Sequence, residues 1–240
     1  MANTTHDLQW RTTQDVIIFL GSISLRGTLQ LPAESSGLIL FAHGSGSSRF
    51  SPRNRFVAQI MHEARLGTLL FDLLTPEEET IDLQTRHLRF DIPLLARRLV
   101  AVTGWIKNQP ETTHLPLGYF GASTGAAAAL IAAAKLNDEI SAVVSRGGRP
   151  DLADEALPQV TAPTLLIVGE RDDVVIRLNE MALDQLRCVK QLQIIPGATH
   201  LFEEPGTLEE VAHLAATWFQ RFLRPSPQSL PPSETAFQKQ

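Results

Sequence analysis

Leu117-Gly118-Tyr119-Phe120-Gly121-Ala122-Ser123-Thr124-Gly125-Ala126-Ala127-Ala128-Ala129-Leu130 is the stretch that decides the fold. Leu117–Phe120 has the length and apolarity of a strand covered on both faces. From Ala126 the run is mostly alanine, the strongest helix former. Between them stands Gly-x-Ser-x-Gly, the pattern of a serine held on a sharp strand-to-helix turn. Glycines two residues before and after the serine let the two backbones approach without a Cβ clash. Ser123 then lies at a helix N-terminus, where unpaired N–H groups and the helix dipole favour developing negative charge. A serine N-cap between two packing glycines would give the same letters, so the surroundings have to decide.

Outward from this stretch the chain alternates. Val16–Leu20 and Ile23–Leu31 read as an antiparallel pair at a sheet edge, joined at Gly21-Ser22. Leu38–Ala42, Thr68–Leu74, Leu117–Phe120, Ala142–Ser145, Pro163–Val168 and Gln191–Ile195 read as strands. Helical spacing marks Arg53 to Leu66, Ile92 to Ile106, Ser123 to Lys135, Val174 to Leu186 and Leu208 to Phe222. Thr75-Pro76-Glu77-Glu78-Glu79 reads as a solvated acidic loop. Strand–helix alternation after a hairpin predicts an α/β fold: a mostly parallel, doubly wound sheet of about eight strands. The folded domain is expected over residues 15–224, with residues 1–14 flexible. Residues 225–240 hold four prolines and read as a disordered tail. Only Arg149 to Ala162 separates two of the strands, too short for a helical lid domain.

Composition sets bounds on function. The chain has 240 residues, 43% hydrophobic and 20% charged, which suits a globular domain with a sizeable core. With 21 Lys and Arg against 26 Asp and Glu, the net charge of −5 gives no global pull toward nucleic acid or anionic membrane. No run approaches the roughly 20 apolar residues of a spanning helix. The single cysteine, Cys188, forms no internal disulfide and reads as a helix-face thiol in a reducing, cytoplasmic setting.

A serine hydroxyl needs a base to act as a nucleophile. Of seven histidines, His200 follows the last strand and the loop Pro196–Thr199, at the rim where parallel sheets carry functional residues. His43 ends a strand before a glycine loop and is expected to brace that loop. The base needs a carboxylate to fix its tautomer. Gly169-Glu170-Arg171-Asp172-Asp173-Val174 offers Asp172, with Asp173 expected to cap the following helix and Glu170 and Asp151 as weaker candidates. The order Ser123, Asp172, His200 differs from that of chymotrypsin-like and subtilisin-like proteases. Two amide donors are needed for an oxyanion hole. Thr124 supplies one at the elbow, and Ser45 in His43-Gly44-Ser45 is placed to supply the second. Arg49, Arg53, Arg146 and Arg149 fall on the same rim. They fit either an anionic substrate group or ion pairs with Glu77, Glu78, Glu79 or Asp151, the expectation for at least two of the four.

As a set, His43-Gly44-Ser45-Gly46, Gly121-Ala122-Ser123-Thr124-Gly125, Gly169-x-x-Asp172 and Gly197-Ala198-Thr199-His200 resemble the α/β-hydrolase superfamily, and within it the dienelactone hydrolase-like group. The resemblance covers about residues 15–224. It implies the α/β-hydrolase fold, with oxyanion loop, nucleophile, acid and base at those four motifs. The hydrolases that name the group use a cysteine nucleophile, whereas this elbow carries Ser123. The resemblance therefore implies hydrolysis of a small soluble ester or lactone, with no metal or cofactor, and the rim arginines add the expectation of an anionic substrate. Three other readings compete. Gly44-Ser45-Gly46-Ser47-Ser48-Arg49 is a poor dinucleotide fingerprint, because Arg49 stands at the third glycine position and no acidic strand end follows about 20 residues on. A binding protein on the same fold would keep the architecture and drop the chemistry. An acyltransferase or peptidase would use the same three residues.

Overall fold

The computed structural model describes residues 9–223. The chain opens with an antiparallel hairpin, β1 (Trp10–Leu20) and β2 (Ile23–Pro32), turning at Gly21 with φ +68°. Then follow β3 (Leu38–Ala42), α1 (Pro52–Glu63), β4 (Gly67–Phe71), α2 (Pro76–Thr85), α3 (Ile92–Lys107), β5 (Leu117–Ala122) and α4 (Thr124–Leu136). The chain continues through β6 (Ile140–Arg146), β7 (Thr164–Gly169), α5 (Asp173–Gln185), β8 (Lys190–Ile195) and α6 (Thr207–Phe222).

The strands form one sheet in the order β1-β2-β4-β3-β5-β6-β7-β8. β2 runs antiparallel to both neighbours, and every pairing from β4 to β8 is parallel. This is the α/β-hydrolase fold, a mostly parallel sheet led by an antiparallel hairpin. β3, β4 and β5 are buried at every residue, as strands covered on both faces must be. One core packs Leu95, Leu99 and the alanines of α4 on one face of the sheet. The other packs Val57 and Met61 of α1 against Trp218 and Phe219 of α6. The alanine face lets α4 sit close under β5, which fixes the turn between them.

Three local expectations change. β1 begins at Trp10, inside the segment expected to be flexible, because it is an edge strand whose early residues face solvent and show no alternation. The rest of that segment before residue 9, and the expected tail over 225–240, lie outside the described residues. The acidic loop at Thr75 is the start of α2, closed by a capping box: the Glu78 amide donates to Thr75 Oγ1 at 3.2 Å, and the Thr75 amide donates to Glu78 Oε2 at 2.8 Å. Cys188 is not on a helix face, since α5 ends before Leu186. It is half-buried in the turn before β8, with its thiol 3.7 Å from Thr164 Oγ1. Between β6 and β7 the chain forms a 3₁₀ segment over Pro150–Gln159, with a kink at Asp154.

Candidate active site

The elbow is built from backbone constraints. Ser123 has φ 51° and ψ −121°, a conformation costing a non-glycine residue about 1–3 kcal/mol. A Cβ on Gly121 would come 2.4 Å from the Cα of Ala126, and one on Gly125 would come 2.1 Å from the carbonyl oxygen of Ala42. The first turn of α4 is thus wedged against the ends of β5 and β3 with no room for a side chain. Three hydrogen bonds hold the strained residue. Its amide donates to the Arg146 carbonyl at 3.2 Å, and the amides of Ala126 and Arg149 both donate to its carbonyl at 3.1 Å. Ser123 occupies the N-cap position of α4, yet its side chain makes no capping bond. The hydroxyl is therefore not spent on the helix.

The loop after β3 lies directly against this elbow. A Cβ on Gly44 would stand 3.1 Å from the Ser123 Cβ. His43 braces the loop as expected: Nδ1 bonds the Gly44 carbonyl at 3.0 Å, and Nε2 accepts from the Leu73 amide at 3.1 Å. Those partners fix a neutral tautomer with the proton on Nδ1, and burial pulls its pKa below the ordinary value. Beneath Gly46, at φ +69°, lies the Arg89 guanidinium, which bonds Asp82 through Nε at 2.5 Å. Burial works against the Asp82 charge, but the Arg89 amide and side chain hold its carboxyl below the usual range. Nothing in the sequence pattern announced this Arg89–Asp82 support. The amide of Thr124, first residue of α4, has no partner within its helix, and Ser45 lines the same cleft as Ser123.

His200 and Asp172 meet. His200 Nδ1 lies 2.6 Å from Asp172 Oδ2, so Nδ1 carries the proton and Nε2 is left as an acceptor. Asp172 stands at the N-cap of α5 without a capping bond, and Asp173 is the first helical residue rather than the cap. Glu170 does not approach the imidazole; it accepts from the Gly197 amide at 2.7 Å and ties the histidine loop to the acid loop. Glu204 accepts from the Thr199 amide at 3.1 Å, a bond that helps lower its pKa. Asp151 pairs with Arg149 through two bonds of 2.7 and 2.8 Å.

Ser123 and His200 line one cleft of about 180 Å³ with Ser45, Arg53, Asn54 and Arg146. Among the described residues no hydrogen bond occupies the Ser123 hydroxyl. A larger hollow, about 850 Å³, lies between the hairpin and α1, but it shares with the predicted residues only Arg49. Size does not mark the site; chemistry does.

The four rim arginines separate. Arg49 is paired with Asp72, and Arg149 with Asp151. Arg53 reaches Glu203 at 3.4 Å, a loose pair with a 65% exposed side chain. None pairs with Glu77, Glu78 or Glu79, and Glu78 instead holds Arg98. Arg146 is different: it is 8% exposed, and its Nη1 has no partner. Burial, and then the nearby Arg53 guanidinium, lower its pKa to about 10, so it stays charged at neutral pH.

Fold and cleft together define the α/β-hydrolase class. Residues 75–224 match the dienelactone hydrolase family, and the chain belongs to that family. The crystal structure of a dienelactone hydrolase from Anabaena variabilis is 60% identical, with a TM-score of 0.88 over 90% of this chain and all of that one. Est1E from Butyrivibrio proteoclasticus superposes with a TM-score of 0.72 at 17% identity, covering 86% of this chain and 98% of its own, and shares the fold. A Mycobacterium tuberculosis protein named "Putative phosphoribosyl transferase" is 57% identical over 206 residues, or 86% of this chain and 46% of its own length. The chain thus spans just under half the length of that curated relative. Family membership supports a hydrolase. No helix among the described residues is long and apolar enough to cross a membrane.

Proposed function

We propose that the protein hydrolyses a small ester or lactone by two-step acyl transfer, with Ser123 as nucleophile, His200 as general base and Asp172 as its orienting acid. The observation that carries this reading is the 2.6 Å bond from His200 Nδ1 to Asp172, on the rim of the cleft that holds an uncapped, strained Ser123. His200 Nε2 takes the Ser123 proton as the serine oxygen bonds the carbonyl carbon. The amides of Thr124 and Ser45 hold the resulting oxyanion. The carbon–oxygen bond to the leaving group then breaks, and His200 returns the proton to the departing alcohol. Water, deprotonated by the same imidazole, releases the acid.

The substrate is a small molecule. The cleft is small, about 180 Å³, and a 3₁₀ segment stands where a lid domain would be. An anionic substituent belongs to the proposal, seated by Arg146 with Arg53. Arg49 and Arg149 are spent on their ion pairs. A cytoplasmic setting accords with a lone cysteine that forms no internal disulfide. The mycobacterial relative's name describes a protein about twice as long. A phosphoribosyl-transfer reading for this chain would rest on that name, whereas the paired imidazole and carboxylate on the rim of the Ser123 cleft suit acyl chemistry.

Ser123→Ala tests the proposal. Turnover of an activated ester such as 4-nitrophenyl acetate should fall at least a thousandfold, with the melting temperature kept within a few degrees. Wild-type turnover in the folded variant would overturn the assignment. A fluorophosphonate probe that labels the wild type and spares Ser123→Ala rules out a non-catalytic binding protein. Identification of the acyl product separates hydrolysis from transfer to another acceptor.

A further inference from the structure

Asn179 is fully buried in the second turn of α5, and helix stability does not account for it. Asparagine is a poor residue inside a helix. Its Oδ1 is buried without a partner, an arrangement that an apolar side chain of the same size would avoid. What the asparagine does supply is a donor pair. Nδ2 bonds the Val175 carbonyl at 2.8 Å within its own helix and the Gly148 carbonyl at 3.0 Å outside it.

Gly148 is not an ordinary loop residue. A Cβ there would stand 1.9 Å from Ser145 Oγ and 2.6 Å from the Ala126 Cβ, so its backbone is pressed against the first turn of α4. The residue before it, Gly147, is pinned to β7 by a 2.8 Å bond from its amide to the Ile167 carbonyl. The residue after it, Arg149, sends its amide 3.1 Å to the carbonyl of Ser123. That bond comes from outside the elbow, so the Gly147–Arg149 segment is one of the few things that hold Ser123 in its strained conformation. Toward its N-terminus, α5 begins at Asp173, with Asp172 at the N-cap. Seven residues of helix, a rise of about 10 Å, separate the carboxylate that meets His200 from the amide that meets Gly148.

We propose that Asn179 is a positioning residue that locks the acid-bearing helix α5 to the nucleophile elbow through Gly148, so that Asp172 and Ser123 keep a fixed relation. The inference rests on the roles given above to Ser123 and Asp172. It explains a helix-interior asparagine with an orphaned oxygen: the side chain is retained for one bond to one carbonyl, at a cost to the helix.

Asn179→Leu tests it, because leucine has the same branched outline, favours helix and removes the orphan. The expected result is a melting temperature within a few degrees of that of the wild type, the extra bulk of leucine offsetting the gain from losing the orphan. With it, kcat per site titrated by a fluorophosphonate should drop tenfold or more, while KM for the same ester stays within threefold. Asn179→Ser, a small hydroxyl donor, should recover part of the lost kcat. A purely structural role predicts the opposite split: a lower melting temperature and an unchanged kcat per titrated site, and that result would overturn the proposal. Should Asn179→Leu be insoluble, Asn179→Ala read at a temperature where circular dichroism shows it folded answers the same question, and wild-type kcat there sinks the clamp. Ser123→Ala run beside these variants separates the two claims. If it is inactive while Asn179→Leu is fully active, the clamp is wrong and the hydrolase reading stands. If Ser123→Ala is active, the underlying roles are wrong.

Discussion

Arg146 accepts the Ser123 amide proton on its carbonyl at 3.2 Å, and its guanidinium lines the same cleft as the serine, with Nη1 lacking an acceptor. The two residues are neighbours because Ala122 of β5 pairs in register with Arg146 of β6. A buried, uncompensated charge is expensive unless something arrives to pair with it. The predicted partner is an anionic group of the substrate. Mono-4-nitrophenyl glutarate and 4-nitrophenyl valerate differ chiefly by a carboxylate. The wild type should favour the charged ester in kcat/KM by roughly tenfold or more, the scale of one charged hydrogen bond. Arg146→Met should erase that ratio and, by removing an unpaired buried charge, leave the fold as stable or more so. Equal kcat/KM for both esters in the wild type would remove the anion site.

Asp172 and Glu170 can be told apart by the same means. Asp172 bonds the imidazole, whereas Glu170 bonds the Gly197 amide. Asp172→Asn should invert the His200 tautomer and lower kcat by roughly 10³–10⁴-fold, the loss seen when such a carboxylate is replaced in a serine protease. Glu170→Gln keeps the size and an acceptor, and should cost less than tenfold. Comparable losses for the two would mean that the carboxylate acts through the loop rather than on the histidine.

The parts legible in the sequence are those where local chemistry has one solution. Gly121, Ser123 and Gly125 read correctly as a turn because their backbones leave no room for a Cβ at either glycine. The hairpin, the alternation and the placement of the Asp172 and His200 loops at strand ends followed from apolar run lengths. Thr75-Pro76-Glu77-Glu78 held a readable capping box, but its charge run suggested a loop. The pairing of Arg149 with Asp151, two residues on, was among the partners the sequence offered, but the other two ion pairs were illegible for another reason. Arg53 meets Glu203 across 150 positions, and Arg49 meets Asp72 across 23. Sequence separation carries no information on such contacts. Asn179 was hidden further still, since its partner is a backbone carbonyl 31 residues away.

Gly125→Ala should separate folding of the elbow from its chemistry. The added Cβ would meet the carbonyl oxygens of Ala42 and His43 at 2.1 and 2.5 Å, backbone atoms that no rotamer change can move. Relief requires α4 to shift away from β3, which carries Ser123 out of place. A loss of about 1–3 kcal/mol or more is expected, in the range of overpacked cores, with kcat per folded molecule reduced at least a hundredfold. Urea titration and ester turnover measure the two. A variant of wild-type stability and turnover would show that the close approach is not as drawn.

Acid stability follows from two buried histidines that serve structure rather than chemistry. Burial lowers the His62 pKa to about 4, and the ring bonds Thr68 Oγ1 at 2.8 Å through Nε2. Burial lowers His43 as well, and its Nε2 must stay unprotonated to accept from Leu73. For both, the folded-state pKa lies below the unfolded value near 6.5. As pH falls through 6.5 the unfolded chain takes up protons first, so stability decreases with falling pH. For His62 the loss runs from about 6.5 down to about 4, at no more than about 1.4 kcal/mol per pH unit. Above pH 7 neither contributes a slope. His62→Gln keeps a partner for Thr68 and removes the titration. Its unfolding free energy from urea melts should therefore fall less between pH 7 and pH 5 than that of the wild type, by about 1–2 kcal/mol. Parallel losses in the two proteins would assign the acid limb to other groups.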